Sequence, residues 1–256
     1  MKAFVIFNLN TDEKIERCRL AAKNLSSSFD LYACPLQAKC LCMDEVKEGR
    51  EKMKCDLVVS IGGDGTLLKA SRLAYEKGVP VLGINAGHKG ALCALRHDDD
   101  LASLSMDAFK IEDRFGLSFN EKKYRFALND VVFVSSVNAH SVRLEARIGD
   151  NEPLSFQGDG LIISSPTGST GYSYSCGGPI VNPKSDVILL TPIAPISGIT
   201  RSIVVPSSLP IAIKPIAKGH VGASICFDGK DVGRVKEEVV VTISPKPLRL
   251  VCGVNR

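Results

Sequence analysis

The chain has no tryptophan and only five tyrosines among its 256 residues. Without an indole, and without any run of lysines or arginines, it lacks the stacking platform and the basic track of a nucleic-acid binder. No apolar run approaches the length that spans a bilayer. Residues 3–7 are too short for the apolar core of a signal peptide, and polar residues follow, so no targeting segment is expected and a cytoplasmic setting is. The nine cysteines, at 18, 34, 40, 42, 55, 93, 176, 226 and 252, include no Cys-x-x-Cys pair. Cys40-x-Cys42 has no matching half, which argues against a zinc site. The odd count and the apolar surroundings predict reduced, buried thiols. The histidines at 88, 97, 140 and 220 show no metal-ligand spacing, so no residue is put forward as a metal ligand. Gly-x-x-x-x-Gly-Lys-Ser/Thr is missing, and so is a Gly-x-Gly-x-x-Gly following a strand; the P-loop and the standard dinucleotide fingerprint are both excluded.

What the chain does have is apolar content of 45%, enough for well-filled cores, and a net charge of +4 from scattered residues. That modest positive field suits an anionic small molecule among other partners. Residues 56–68 stand out. Asp56-Leu57-Val58-Val59-Ser60-Ile61 reads as a strand buried on both faces, Gly62-Gly63-Asp64-Gly65 as a turn, and Thr66 as the N-cap of a helix that stops at Gly78. Glycines let a ligand approach the backbone, and free amides at the helix start favour phosphate. A carboxylate there is repulsive to phosphate unless a metal offsets it or it takes a proton from an attacking hydroxyl. Asp64 is therefore the candidate general base of a phosphoryl transfer; the plain alternative is a tight turn whose aspartate caps a helix.

Strands at 2–7, 29–34 and 79–84 and helices at 12–25, 44–54 and 98–109 complete an alternating pattern, with Ile15, Leu20 and Ala21 expected inward. The pattern predicts a doubly wound, Rossmann-like parallel α/β domain over residues 1–105. Ligands of such sheets bind beyond the carboxyl ends of strands, where Asp64 lies. The loop Asn85-Ala86-Gly87-His88-Lys89-Gly90 leaves the neighbouring strand and adds amides and a cation to the same crevice. From residue 106 to 256 strand follows strand, at 124–128, 131–134, 140–148, 161–164, 187–190, 202–205, 211–214, 223–227, 239–243 and 248–251. This is an all-β sandwich, with the last strand free to return to the first domain. Two stretches depart from ordinary strands. Asn129-Asp130 interrupts two apolar runs, as a hairpin turn would. Residues 158–179 end a strand in glycines, hydroxyls and two tyrosines, the composition of a polar, base-sized pocket.

Gly62-Gly63-Asp64-Gly65-Thr66, Asn85-x-Gly87-x-x-Gly90, Asn129-Asp130 and the run from Asp159-Gly160 through Gly178-Pro179 resemble, in order and rough spacing, the NAD kinases. The first motif is shared with 6-phosphofructokinases and with lipid kinases of the diacylglycerol and sphingosine type; the last is more specific. The resemblance implies transfer of the γ-phosphoryl group of ATP to the 2′-hydroxyl of the adenosine ribose of NAD, giving NADP. It also implies a divalent metal, usually magnesium, and a homodimer or homotetramer with neither nucleic acid nor membrane as partner. Asp64 resembles the family's base, with Gly65 against the nucleotide. Gly62, Gly63, Thr66, Asn85, Gly87, His88 and Lys89 fall on the phosphate side. Asn129 and Asp130 resemble the pair that holds NAD, and Thr167, Thr170, Gly171, Tyr172 and Ser175 the adenine side, Tyr172 by stacking. Asp159 and Ala194 resemble residues that reach NAD on a neighbouring subunit. The chain departs from the family at Lys89, at Ala91 (commonly Phe), at Gly171 (commonly Ala) and at Gln157 (commonly Arg). The alternatives are a lipid kinase sharing the glycine loop and a non-catalytic nucleotide-binding regulator.

Overall fold

The computed structural model describes residues 1–87, 90–119, 126–137, 140–216 and 222–255, in two compact units. One unit comprises Met1–Asp113 with Leu248–Arg256; the other is Arg114–Pro247. His88, Lys89 and the first residues of the strand expected at 124–128 lie outside the described residues.

The first unit runs β1 (Lys2–Phe7), α1 (Asp12–Leu25), β2 (Asp30–Ala33), α2 (Pro35–Leu41), β3 (Val46–Glu48), β4 (Leu57–Gly62), α3 (Asp64–Lys77), β5 (Val81–Asn85), β6 (Leu95–Arg96) and β7 (Phe109–Arg114). Strands β3, β2, β1, β4 and β5 lie side by side and parallel. Every residue of β4 and β5 is buried, as befits central strands covered on both faces. The core joins these strands to Cys18, Ala21, Ala22 and Leu25 of α1. Leu20, expected inward, is 48% exposed, because the helix turns its small residues to the sheet instead.

Two expected helices do not form. Residues 44–54 carry almost no apolar face; Val46 is buried as β3 extends the sheet edge beside β2, and the Gly49 amide reaches Ala33 O. Between 98 and 109 only a 3₁₀ turn forms, at Met106–Ala108. The aspartates there bond their own neighbourhood: Asp99 accepts from the Arg96 amide, and Asp100 from the Ala102 amide and the Ser103 hydroxyl. Such local bonds compete with a helix. Conversely, α2 escaped the sequence reading, although Pro35 sits at its first turn, where proline is tolerated.

The second unit adds β8 (Leu117–Phe119), β9 (Asp130–Ser135), β10 (Val142–Ile148), β11 (Leu154–Gly158), β12 (Gly160–Ser164), α4 (Tyr172–Ser175), β13 (Val187–Ile193), β14 (Ser197–Gly198), β15 (Ile203–Pro206), β16 (Ile211–Pro215), β17 (Ala223–Phe227), β18 (Lys230–Val235) and β19 (Val239–Ile243). Among the described residues they form two six-stranded sheets, β14-β11-β10-β16-β19-β8 and β15-β13-β12-β9-β17-β18. Alternate residues of both sheets, Leu144, Phe156, Phe133, Ile163 and Phe227 among them, fill one apolar core. The final strand, β20 (Leu248–Val254), lies parallel to β5 in the first unit's sheet.

All nine cysteines are free thiols, but only Cys18 is buried, and Cys40, Cys42 and Cys252 are exposed. Cys252 takes an outward position of β20, whereas Cys40 and Cys42 lie on α2 and its C-cap while Ala38 and Leu41 are the buried residues there. No described helix is long and apolar enough to cross a membrane.

Helix α3 ends at Gly78, which adopts φ +68 with nothing among the described residues near a β-carbon added there. Gly78→Ala should therefore cost about 1–2 kcal/mol purely through left-handed backbone strain. An unchanged unfolding midpoint in urea would refute this account of the cap.

Candidate active site

In the parallel unit the site begins where β4 ends. The helix starts at Asp64, with Gly63 as its N-cap, rather than at Thr66. Thr66 belongs to the first turn and is buried, and its amide bonds back to Gly63 O. Its side chain packs on Gly62: a β-carbon at 62 would lie 2.8 Å from Thr66 Cβ and 2.9 Å from Asn8 Cβ. Gly62 is therefore demanded by the chain's own packing. Gly65 is different. It is exposed, and among the described residues nothing lies within 4 Å of a β-carbon built there. The helix start leaves its first amides without intrahelical acceptors, which is the arrangement that receives anions.

Asp64 does not hang free. Its Oδ2 accepts from the Ala91 amide at 3.0 Å and its Oδ1 from the Leu92 amide at 3.1 Å. The Cys93 thiol lies 3.9 Å from Oδ1 and is pushed up to about 12, by burial first and then by the Asp64 carboxylate, so it stays a thiol. The family departure at Ala91 leaves this clamp intact because the contact runs through the main chain. Asn85 is buried and spends its side chain on the loop itself, its Oδ1 accepting from the Gly87 amide at 2.8 Å. Asn8, which the sequence reading passed over, lies at the end of β1 against Gly62; its Oδ1 is buried and has no partner among the described residues. Only its place at a strand end could have signalled it.

In the all-β unit Asn129 and Asp130 do not make a hairpin turn. Asp130 opens β9, paired with Ser164 of β12, and Asn129 precedes it. Ser165 fastens the following turn to this pair: its amide donates to Asn129 O at 2.9 Å and its hydroxyl to Leu128 O at 2.6 Å, while Oγ accepts from the Gly168 amide. A β-carbon on Gly168 would fall 2.1 Å from Asn129 O, so the two segments touch backbone to backbone. The hydroxyl-rich stretch is a 3₁₀ turn (Thr167–Thr170) followed by α4. Its hydroxyls divide. Ser169 ties Val181, and Ser173 bonds Thr191 at 2.8 Å, both facing inward. Thr170, Tyr172 and Ser175 are exposed, and the Asn129 Oδ1 and Thr167 Oγ1 are buried with no partner among the described residues. Buried polar atoms left open in this way are the ones a ligand would complete. A β-carbon on Gly171 would approach Gly168 O at 3.2 Å, a tight but small adjustment, so the family's alanine differs little here. Gln157 donates to the Ser141 hydroxyl.

Asp228, also unflagged by the sequence reading, sits in the two-residue turn between β17 and β18 with φ +44, followed by Gly229 at φ +71. An Asp-Gly pair between strands is the signature of such a turn. Its carboxylate accepts from the amides of Leu128 (2.9 Å) and Asn129 (2.8 Å), with that of Asp130 at 3.4 Å. Burial, and next the Asp228 carboxylate, push Asp130 up to about 7. The Tyr172 phenol is also raised, by burial, then by Cys176 and Asp130, and to a lesser degree by Asp159. Asp159 itself is exposed at the β11–β12 junction, and its amide bonds Ile193 O beside Ala194, which takes φ +42.

A parallel α/β unit with a carboxylate at a glycine-lined helix start, joined in one chain to a sandwich with a polar, partly open turn, defines a nucleotide-dependent phosphotransferase. Models of the ATP-NAD kinase N-terminal and C-terminal domains match residues 6–106 and 128–251. The chain belongs to that family. The NAD kinase of Heliobacterium modesticaldum is 36% identical over 237 residues, spanning 88% of this chain and 83% of the relative. That of Symbiobacterium thermophilum is 40% identical over 194 residues, spanning 72% and 68%. The crystal structure of an NAD kinase from Archaeoglobus fulgidus in complex with ATP superposes with a TM-score of 0.74 at 26% identity, covering 98% of this chain and 93% of that one. Yeast NADH kinase complexed with NADH shares the fold, with a TM-score of 0.84 at 24% identity, covering 98% and 83%.

Two outcomes follow from this geometry. Gly65→Ala should stabilise the fold by about 0.5–1 kcal/mol in urea unfolding, because a helical alanine there meets no obstacle among the described residues. It should also lower kcat/KM by about tenfold or more if a ligand fills the open space; full activity would show that none does. Asp130, protonated more readily in the folded state than in the unfolded chain, favours folding at low pH. The folded state holds the extra proton between the ordinary carboxylate value of 3.8 and about 7. Stability of the all-β unit should therefore fall as pH rises through that window, by an amount on the order of a few kcal/mol. Urea titrations at pH 5 and pH 8 should show a smaller drop for Asp130→Asn than for the unaltered chain; equal drops would refute the assignment.

Proposed function

We propose that the chain transfers the γ-phosphoryl group of ATP to the 2′-hydroxyl of the adenosine ribose of NAD, forming NADP. The observation that carries this reading is the clamped Asp64 carboxylate at the start of α3. Each oxygen accepts one amide and Oδ1 is also met by the Cys93 thiol, so Oδ2 is the oxygen that keeps a further lone pair for a proton. A ribose hydroxyl is a poor nucleophile, and a fixed carboxylate within reach of it acts as general base, worth about 10²–10⁴-fold. The amides at the helix start hold phosphate oxygens in place, and positioning supplies most of the remaining effect. Asn129 and Asp130, with Thr167, Thr170, Gly171, Tyr172 and Ser175, hold NAD, the tyrosine by its exposed ring. This reading is supported by the relatives named as NAD kinases and by the solved structures complexed with ATP and with NADH. Nothing in the comparisons supports the lipid kinase.

Magnesium fits as a companion of ATP. Among the described residues no three His, Cys, Asp or Glu side chains cluster as a cage, and magnesium commonly relies on substrate phosphates with few protein ligands. Bound with ATP, it would neutralise charge on the transferring phosphoryl group; no residue of this chain is assigned as its ligand. Asp159 and Ala194 are assigned to NAD held by a second copy of the chain, in a homodimer or homotetramer. The free thiols fit a reducing, cytoplasmic setting.

The test is an assay with NAD, ATP and magnesium, coupled to a dehydrogenase that accepts only NADP. The expected result is NADP formation, reduced about 10²–10⁴-fold in kcat by Asp64→Asn with the circular dichroism unchanged. Absence of product across donors and metals, with working controls, would overturn the kinase reading. Wild-type turnover in Asp64→Asn would overturn the base assignment alone.

A further inference from the structure

The main chain at residues 128–130 is held from two directions. On one side its carbonyls accept from the amide and hydroxyl of Ser165. On the other, Asp228 takes the amides of Leu128 and Asn129, and its own amide donates to Asp130 O at 3.1 Å. Leu128 and Asn129 precede β9, so their amides are not part of its ladder with β12 and need another acceptor. With both main-chain groups of Asn129 committed, its side chain is what remains to meet a ligand, and its buried Oδ1 has no partner among the described residues.

The turn position itself does not require aspartate. Residue 228 needs a left-handed conformation, which Asn and Gly also supply. Glycine would offer no acceptor, and asparagine one oxygen where the carboxylate offers two. Electrostatics also argue against a role in stability alone, because the second carboxylate acts against ionisation of the buried Asp130. We infer that Asp228 is a positioning residue for NAD: its carboxylate fixes the backbone of residues 128–130 and so aims the Asn129 and Asp130 side chains. The inference rests on reading that pair as the one that holds NAD.

The test uses the full chain with Asp228→Gly, Asp228→Asn, Asn129→Ala and the Asp228→Gly/Asn129→Ala double variant, varying NAD and ATP separately. Asp228→Gly keeps the turn and removes the acceptor. It should raise KM for NAD about tenfold while KM for ATP stays unchanged, since a small misplacement is enough to cost that much. Asp228→Asn should fall between Asp228→Gly and the unaltered chain. The double variant should be little worse than Asn129→Ala, because Asp228 acts through that residue. Equal shifts in both KM values, or none, would overturn the inference, and additive losses in the double variant would do the same. If Asp228→Gly fails to fold, an unchanged KM for NAD in Asp228→Asn overturns it. Should Asn129→Ala itself leave KM for NAD unaltered, the reading of the pair has failed first, and the two failures are told apart.

Discussion

A carboxylate that accepts two consecutive main-chain amides from a distant loop is the interaction on which both units depend. Asp64 holds Ala91 and Leu92; Asp228 holds Leu128 and Asn129. Loops at the ends of strands carry amides that no ladder satisfies, and they are mobile unless something takes those bonds. Hydrogen bonds to a charged acceptor are shorter and stronger than neutral ones. One aspartate can therefore fix a two-residue stretch that would otherwise need a longer structured segment. The two clamps differ in purpose. Asp64 stands at a glycine-lined helix start and keeps a lone pair on Oδ2 for chemistry, whereas Asp228 works through the residues it holds.

The glycines separate in the same way. Gly62 and Gly168 are fixed by the protein, since a β-carbon on either would strike Thr66 and Asn8, or the Asn129 carbonyl. A β-carbon on Gly65 meets nothing among the described residues. A position where the fold would accept a side chain, in a helix that alanine would favour, is conspicuous because its reason lies outside the chain. The motif Gly-Gly-Asp-Gly is thus two devices in sequence: a close-packing glycine that brings the end of β4 against β1 and α3, and an open glycine facing solvent. Sequence cannot distinguish them, because the difference lies in what each β-carbon would touch.

The same limit explains how much could be read in advance. The α/β and all-β character was legible from strand and helix periods; α1, β17 and β19 fall where the pattern places them because each has a clear apolar face, and α3 stops at Gly78 as expected although it begins earlier, at Asp64 rather than after Thr66. The family was legible from the motifs. Residues 44–54 and 98–109 were misread as helices because polar sequences leave the choice to tertiary partners: an open sheet edge in one case and aspartates bonding their own turn in the other. Within residues 158–179 the density of hydroxyls suggested a pocket, yet Ser169 and Ser173 turn inward to fasten the segment. Asp228 was invisible for a different reason. Phe-Asp-Gly-Lys announces a hairpin turn, and its approach to a strand about a hundred residues earlier in the chain is set only by the pairing of β17 with β9.

That pairing also creates the site's main conflict. Cys226 opposes Val132 and Phe227 opposes Val131 across the β17–β9 ladder, which carries the turn at Asp228 to the start of β9. The register that seats the clamp therefore also sets one carboxylate against another, with Asp130 itself buried. A fold selected for stability alone would place an apolar or singly charged pair there, since an uncompensated buried charge is costly. The chain instead keeps Asp130 poised with its acidity weakened to near neutrality. A nearby Asn129 oxygen and Thr167 hydroxyl have no partner among the described residues, while Ser165 and Asp228 fix the main chain around them. Rigid backbone around unsatisfied side chains is what preorganisation for a polar ligand requires, because the cost of ordering those groups is met in folding rather than in binding.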